Sequence, residues 1–254
     1  MKMTATFLSV AAGLAVLTSA PVRADDKPVT IAATYKAADK ESYKVELHVT
    51  IPQGEVNLTT TSTATVKEIK PNGDVVSELT TDKTVISING SEMDGPAQPP
   101  VTSTHDKLGK LVDMKTDIPD GAFFTPEVAR YIVIVNGLIL PEKPVVTNDK
   151  WETEMDNPMV KGKKITIKDT YLGTDKVDSV DLWKVQQTIS TVTDDAGAKS
   201  TSDITYWLDP TNGHIVKAEG KVTGIPTTQG MSVDWTTKRT PAKPDKPAEP
   251  AKAQ

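Results

Sequence analysis

Tyr43-Lys-Val-Glu-Leu-His-Val-Thr-Ile51 alternates without a fault, with Tyr43, Val45, Leu47, Val49 and Ile51 on one side and Lys44, Glu46, His48 and Thr50 on the other. Side chains of a strand point to opposite faces in turn, so the stretch predicts a strand with one face buried and one wet, as in an antiparallel sheet. His48 then faces solvent. Further runs of period two lie at Thr84–Ile88, Ile165–Ile167, Trp183–Ile189, Ile204–Leu208 and His214–Val222. Between them stand Pro52-Gln-Gly54, Pro71-Asn-Gly73, Asp194-Asp-Ala-Gly197 and Asp209-Pro-Thr-Asn-Gly213, all with turn chemistry. Threonine is abundant, and its β-branched side chain suits the solvated face of a pleated sheet. The expected fold is mainly β: a curved antiparallel sheet or half-barrel with one helix packed on it.

That helix is expected over about 126–140. Thr125 is a natural N-cap, Pro126 suits the first helical position, and Glu127 places an acid in the first turn. Val128, Tyr131, Ile132, Val135, Leu138 and Ile139 then recur at helical spacing, and Gly137 and Pro141 stop the run. The rival reading is a buried strand through Tyr131-Ile-Val-Ile-Val135, because β-branched residues are poor helix formers. Cap, stop and period together favour the helix.

The spacing also suggests two related halves. Tyr43-Lys44-Val45 and Trp183-Lys184-Val185 each stand thirty residues ahead of an Asn-Gly pair, Asn72-Gly73 and Asn212-Gly213. At the same offset Thr61-Ser62 matches Thr201-Ser202, and Val76 matches Val216. A duplication would give halves of about 41–124 and 145–239, joined by the helix.

The termini carry an address and a tail. Lys2, an apolar run from Phe7 to Leu17 and Val22-Arg23-Ala24 form the pattern of a secretory signal peptide over 1–24, with a lead-in over 25–40. The run is too short to span a bilayer, so an exported, periplasmic or extracellular protein is expected. The last stretch, 240–254, has proline at 241, 244, 247 and 250 and no large apolar residue. It reads as a solvated polyproline-like tail, with a cell-envelope polymer as its candidate partner.

Composition narrows the chemistry. The 254 residues carry a formal charge of −5, without a basic patch, so a nucleic-acid partner is not expected. There is no cysteine, and the three histidines, His48, His105 and His214, are far apart, which leaves little for a thiolate or histidine metal site. No nucleophile elbow, phosphate loop or dinucleotide fingerprint is present. Asp113, Asp117 and Asp120 lack the spacing of a calcium loop and read as a solvated turn. No catalytic residue and no cofactor is expected.

Aromatic residues are the remaining signal. Trp151, Trp183, Tyr206, Trp207 and Trp235 cluster late in the chain. Tyr206 and Trp207 are neighbours on a strand, so one is expected in a core and the other exposed at an edge or in a groove. Tyr131, Val135, Trp183, Tyr206 and His214 are the candidate ligand-binding residues, lining an apolar concavity between helix and sheet.

Tyr206-Trp-Leu-Asp-Pro-Thr-Asn-Gly-His-Ile-Val-Lys217 resembles the aromatic–Asp–x–x–Asn/Gly–apolar–basic hairpin of periplasmic lipoprotein-carrier-like proteins. Leu140-Pro-Glu-Lys-Pro-Val-Val-Thr-Asn-Asp-Lys-Trp151 is similar to a segment of exported bacterial β-rich proteins. The resemblance covers about a third of the chain. It implies a half-open β-barrel in which a helix closes a hydrophobic lipid-binding cavity. The sequence alone leads to an exported, non-catalytic structural or interaction module. A carrier for a lipid or other apolar ligand is the alternative, and a hydrolase without a recognisable motif the second.

Overall fold

The computed structural model describes residues 27–51, 54–119 and 122–242. The signal-peptide reading of 1–24 and the tail beyond Ala242 lie outside them. The strands are β1 (Lys40–Ile51), β2 (Gly54–Ile69), β3 (Val75–Ile88), β4 (Ser91–Asp94), β5 (Val101–His105) and β6 (Leu111–Thr116), followed by helix α1 (Pro126–Val135). Then come β7 (Lys150–Asp156), β8 (Lys164–Val177), β9 (Val180–Val192), β10 (Lys199–Leu208), β11 (Ile215–Pro226) and β12 (Ser232–Pro241). All pair antiparallel in a single curved sheet, in the order β6-β5-β3-β2-β1-β12-β11-β10-β9-β8-β7, with β4 added beside β3. The sheet is not closed into a barrel. Thr240 and Pro241, grouped by composition with the tail, belong to β12 and pair with Lys44 and Tyr43.

The expected repeat coincides with strand order. An offset of 140 residues carries β1, β2 and β3 onto β9, β10 and β11, each trio a meander. The two Asn-Gly turns are built alike. The Asn72 and Asn212 side chains accept from the backbone two residues on, at Asp74 and His214. Gly73 and Gly213 take the positive φ of +89° and +73° that each turn requires. That the two halves are a duplication remains a proposal; the correspondence in strand order covers these two trios.

The helix forms where its signals lie, but it is shorter than the periodicity predicts. Thr125 Oγ1 accepts from the Val128 N–H, with Pro126 in the first turn. At the other end Asn136 caps the helix, its N–H and side-chain amide both bonding the Ile132 carbonyl. Residues 138–140 therefore leave the helix five residues before the expected end. They stay buried because their backbone finds other partners: the Leu140 N–H bonds Leu108 O, and Trp151 Nε1 bonds Ile139 O. Their helical spacing reflects burial on an irregular segment and not a continued helix.

The helix lies against the inner face of the sheet. Val128, Tyr131, Ile134 and Val135 are buried against Ile165, Ile167, Val185, Ile204 and Val222. Two tyrosines fix it. Tyr131 reaches out from the helix and its hydroxyl donates to Ser200 Oγ at 3.1 Å; Tyr206 reaches up from β10 and donates to the Val135 and Gly137 carbonyls at 3.3 Å. The Tyr206 bonds satisfy carbonyls that the end of a helix leaves without intrahelical partners.

Residues 27–39 form a strap. Val29 bridges Val145, Ile31 is buried in the core, and the Thr34 N–H bonds Asn212 O beyond the Asn-Gly turn. Tyr206 and Trp207 do face opposite ways, but Trp207 is not exposed. It is 7% accessible on the outer face, because Lys184 and Lys217 lie over its ring and its Nε1 donates to Asp175. Long lysine stems cover apolar surface while their ammonium groups stay wet, which the expectation of exposure overlooked.

Tyr131→Phe should cost about 1 kcal/mol, the net worth of one buried hydrogen bond. Tyr131→Ala should cost about 3–5 kcal/mol, as for a fully packed aromatic. Denaturant unfolding of the two variants checks both values. A loss below about 2 kcal/mol for the alanine variant would contradict a solid contact at the helix.

Candidate functional site

Direct cross-strand partners share a face, so the register traces rows of side chains across the inner face. One row runs Ile167, Ile189, Ser202, Val222, Trp235, Val49, Val56, Ile88 from β8 to β3. The next runs Asp169, Gln187, Ile204, Gly220, Thr237, Leu47, Leu58, Ile86 and ends on Met93 of β4. A third passes Tyr171, Val185, Tyr206, Ala218, Arg239, Val45 and Thr60.

Each row changes character at β12. On β8–β12 the apolar members are sealed beneath helix and strap, with Ile167, Val185 and Val222 at 0% exposure. On β1–β4 the same rows continue with equally apolar residues, yet Val45, Leu47, Val49, Val56, Leu58 and Ile86 are only half-buried. Ile88 and Met93 are exposed. A contiguous apolar strip thus lies open on the inner face, joined at Leu47 and Val49 to the core. Singly exposed apolar residues are ordinary; a rimmed, contiguous strip marks a place where something binds.

The sequence-predicted site residues divide between this face and its surroundings. Tyr131, Val135 and Tyr206 come together, but inside the sealed part, at 0%, 0% and 1% exposure. Trp183 is half-buried against the same core, opposite Leu208 on the inner face. His214 is set apart from them under the strap, its ring stacked on Tyr35 and its Nε2 at 2.8 Å from Thr34 O. Ligand contact by these five residues remains a proposal, and the open part of the face lies elsewhere, over β1–β4.

Three inward polar groups escaped the sequence reading. Asp169 and Gln187 face each other across β8 and β9 beneath the helix, at 1% and 0% exposure. Neither carboxylate oxygen nor either amide atom has a partner in hydrogen-bond geometry among the described residues. Burial pushes the Asp169 carboxyl up to about 8, with Gln187 pulling the other way more weakly. Arg239 is the third. Period two was the available signal: Ile165, Ile167, Asp169, Tyr171 and Trp235, Thr237, Arg239 each keep one parity.

A separate cleft of about 860 Å³ lies at the seam where the two ends of the sheet face each other. It is lined by β6, α1 and β7, with acids and bases in balance, among them Lys110, Arg130, Glu127 and Glu154. Lys110 Nζ donates to Glu154 O and Arg130 to Val112 O, so basic side chains occupy carbonyls of the free edges. No group of three or more metal-ligating side chains gathers anywhere among the described residues. No helix among them is long and apolar enough to cross a membrane.

No family model and no curated protein matches the sequence. Solved structures do resemble it weakly. Lipovitellin, in a structure of its lipid–protein interactions, aligns over 84% of this chain at 11% identity and a TM-score of 0.45. The chain spans only 27% of lipovitellin's length. A candidate lipoprotein from Parabacteroides distasonis aligns over 82% of this chain and 97% of its own, at 11% identity and a TM-score of 0.33. A candidate outer membrane lipoprotein-sorting domain from Vibrio parahaemolyticus aligns over 82% and 85%, at 9% identity and 0.22. With TM-scores below 0.5, these remain weak likenesses of fold.

Asp169 makes stability depend on pH with a defined sign. Its folded pKa stands above the unfolded value near 3.8, so its favourable contribution is complete below about pH 4 and is lost as pH rises towards about 8. Within that window the slope is roughly 1.4 kcal/mol per pH unit for one proton. Asp169→Asn should flatten the fall of Tm between pH 5 and 8 relative to the wild type. Parallel pH profiles of the two proteins would refute a buried, neutral Asp169.

Proposed function

We propose that the protein binds an amphiphile along the open inner face of β1–β4, as an exported carrier or reservoir for an apolar ligand. The observation that carries this reading is the break in the inward rows: the same apolar pattern is sealed under α1 on β8–β12 and left half-open on β1–β4. Leaving such a strip in water forgoes about 25 cal/mol for each Å² an apolar partner would bury. An acyl chain laid along the strand direction from Val45 past Leu47 to Val49 would meet apolar side chains throughout. This reading is preferred to the structural or interaction module expected from the sequence. The apolar ligand was the alternative there, and the open strip supports it. The export signal read over 1–24 supports a carrier acting outside the cytoplasm, and the Pro/Lys tail remains a proposed contact to envelope polymer.

A lipophilic fluorophore such as N-phenyl-1-naphthylamine should bind the wild type with an emission increase and be displaced by a fatty acid. Leu58→Glu, which puts a charge in the middle of the strip, should weaken binding roughly tenfold or more. Asn57→Glu, the neighbouring position on the outer face, should leave it unchanged. A wild type that binds no dye, or equal effects of both substitutions, would overturn the reading.

A further inference from the structure

Arg239 is the only basic residue in the three inward rows, and its surroundings are unusual for a structural arginine. It stands on β12 between Ala218, in the sealed core, and Val45, at the start of the open strip. Its guanidinium stacks on the Tyr43 ring at 3.9 Å, which fixes its plane. One arm, Nη2, donates to Glu41 Oε1 at 3.0 Å. The Nε–H is buried and has no acceptor among the described residues. An arginine presents five donors in a fixed fork that matches a carboxylate, sulfate or phosphate by two parallel bonds. Glu41 uses one of them and is itself 41% exposed, so its hold competes with water.

The position along the strands matters as much. Arg239, Tyr43 and Glu41 lie at the end of the sheet that the strap crosses; the Tyr35 hydroxyl there feels the charges of both Glu41 and Arg239. From the Arg239–Val45 row to the row of Val49, Val56 and Ile88 is four residues, about 14 Å at about 3.4 Å per residue. A charged anchor at one end and an apolar track leading away from it have the layout of a single-chain anionic amphiphile.

We propose that the ligand of the inner face is an anionic amphiphile whose headgroup is held by Arg239, with Tyr43 fixing the guanidinium and Glu41 as the resident carboxylate it displaces. The inference rests on the proposed function, since it specifies the chemistry of a ligand on that same face. The track sets the chain side by side with Leu47 and Leu58, and the headgroup at the strap end selects negative charge over a neutral hydroxyl.

The test compares decanoate, 1-decanol and acetate by titration calorimetry at pH 7.5 on the full chain and its variants. The wild type should bind decanoate roughly ten- to a hundredfold more tightly than decanol, the range for hydrogen bonds to a charged group. Arg239→Gln should bring decanoate down to the level of decanol and leave decanol unchanged. Arg239→Lys should recover only part of the difference, because an ammonium lacks the fork. Should Arg239→Gln fail to fold by circular dichroism, Glu41→Gln decides instead: removal of the competing carboxylate should tighten decanoate several-fold. Equal binding of decanoate and decanol, or no response to these substitutions, overturns the headgroup site while the apolar track stands. Binding of acetate as tight as decanoate also overturns it, showing a free-anion site with no use for the chain. Absence of binding by both decanoate and decanol removes the proposed function and this inference together.

Discussion

The structure depends on a mismatch of lengths. The hydrogen-bonded path crosses eleven strands, an arc of about 50 Å at about 4.8 Å per strand spacing. The helix α1 has ten residues and is about 15 Å long at 1.5 Å per residue. A helix of that length reaches only part of the arc, so a largely apolar inner face is dry on one side of β12 and open on the other. The core, the strap and the candidate site all follow from where the helix settles. Two tyrosine hydroxyls, those of Tyr131 and Tyr206, determine that position by engaging β10 and the carbonyls at the helix end.

Much of this was legible in the residues. Period two in Tyr43–Ile51 and Trp183–Ile189 placed β1 and β9 and their inward sides, because strand alternation depends only on local geometry. Thr125-Pro126 fixed the helix start for the same reason: capping is decided within four residues. The helix end was misread because Leu138, Ile139 and Leu140 are buried by contacts distant in sequence, with Leu108 and Trp151, and burial alone produced their apparent period. One of Tyr206 and Trp207 was expected to be exposed, but the outward one, Trp207, is covered by lysines on the two flanking strands, a matter of register that no single strand discloses.

The candidate site was legible in part. Parity along one strand does show that Val45 and Leu47 share a face, but it does not show which strands the helix leaves bare. That depends on sheet order, and β1 meets β12 across almost the whole chain. The residues singled out from sequence, Tyr131, Val135 and Tyr206, are those that pin the helix, since aromatic and apolar content marks burial first and access second. Arg239 and Asp169 keep the inward parity of their neighbours and were passed over because charged residues are ordinarily assigned to the wet face. At Asp169 the departure carries a stability cost that depends on pH; at Arg239 it places a donor fork beside an apolar track.

The seam between β6 and β7 gives the shell an uneven stiffness. Every other junction between neighbouring strands is a backbone ladder, whose bonds must break together for the strands to part. At the seam Lys110 reaches across the gap to the Glu154 carbonyl of β7, while Arg130 ties the helix to the Val112 carbonyl on the β6 edge. Such ties yield one at a time, and water replaces them at little cost. The shell would then dilate along one line, like a cuff with its opening opposite the fold: a bulkier occupant of the face proposed on β1–β4 would spread the seam and leave the ladders between the other strands whole.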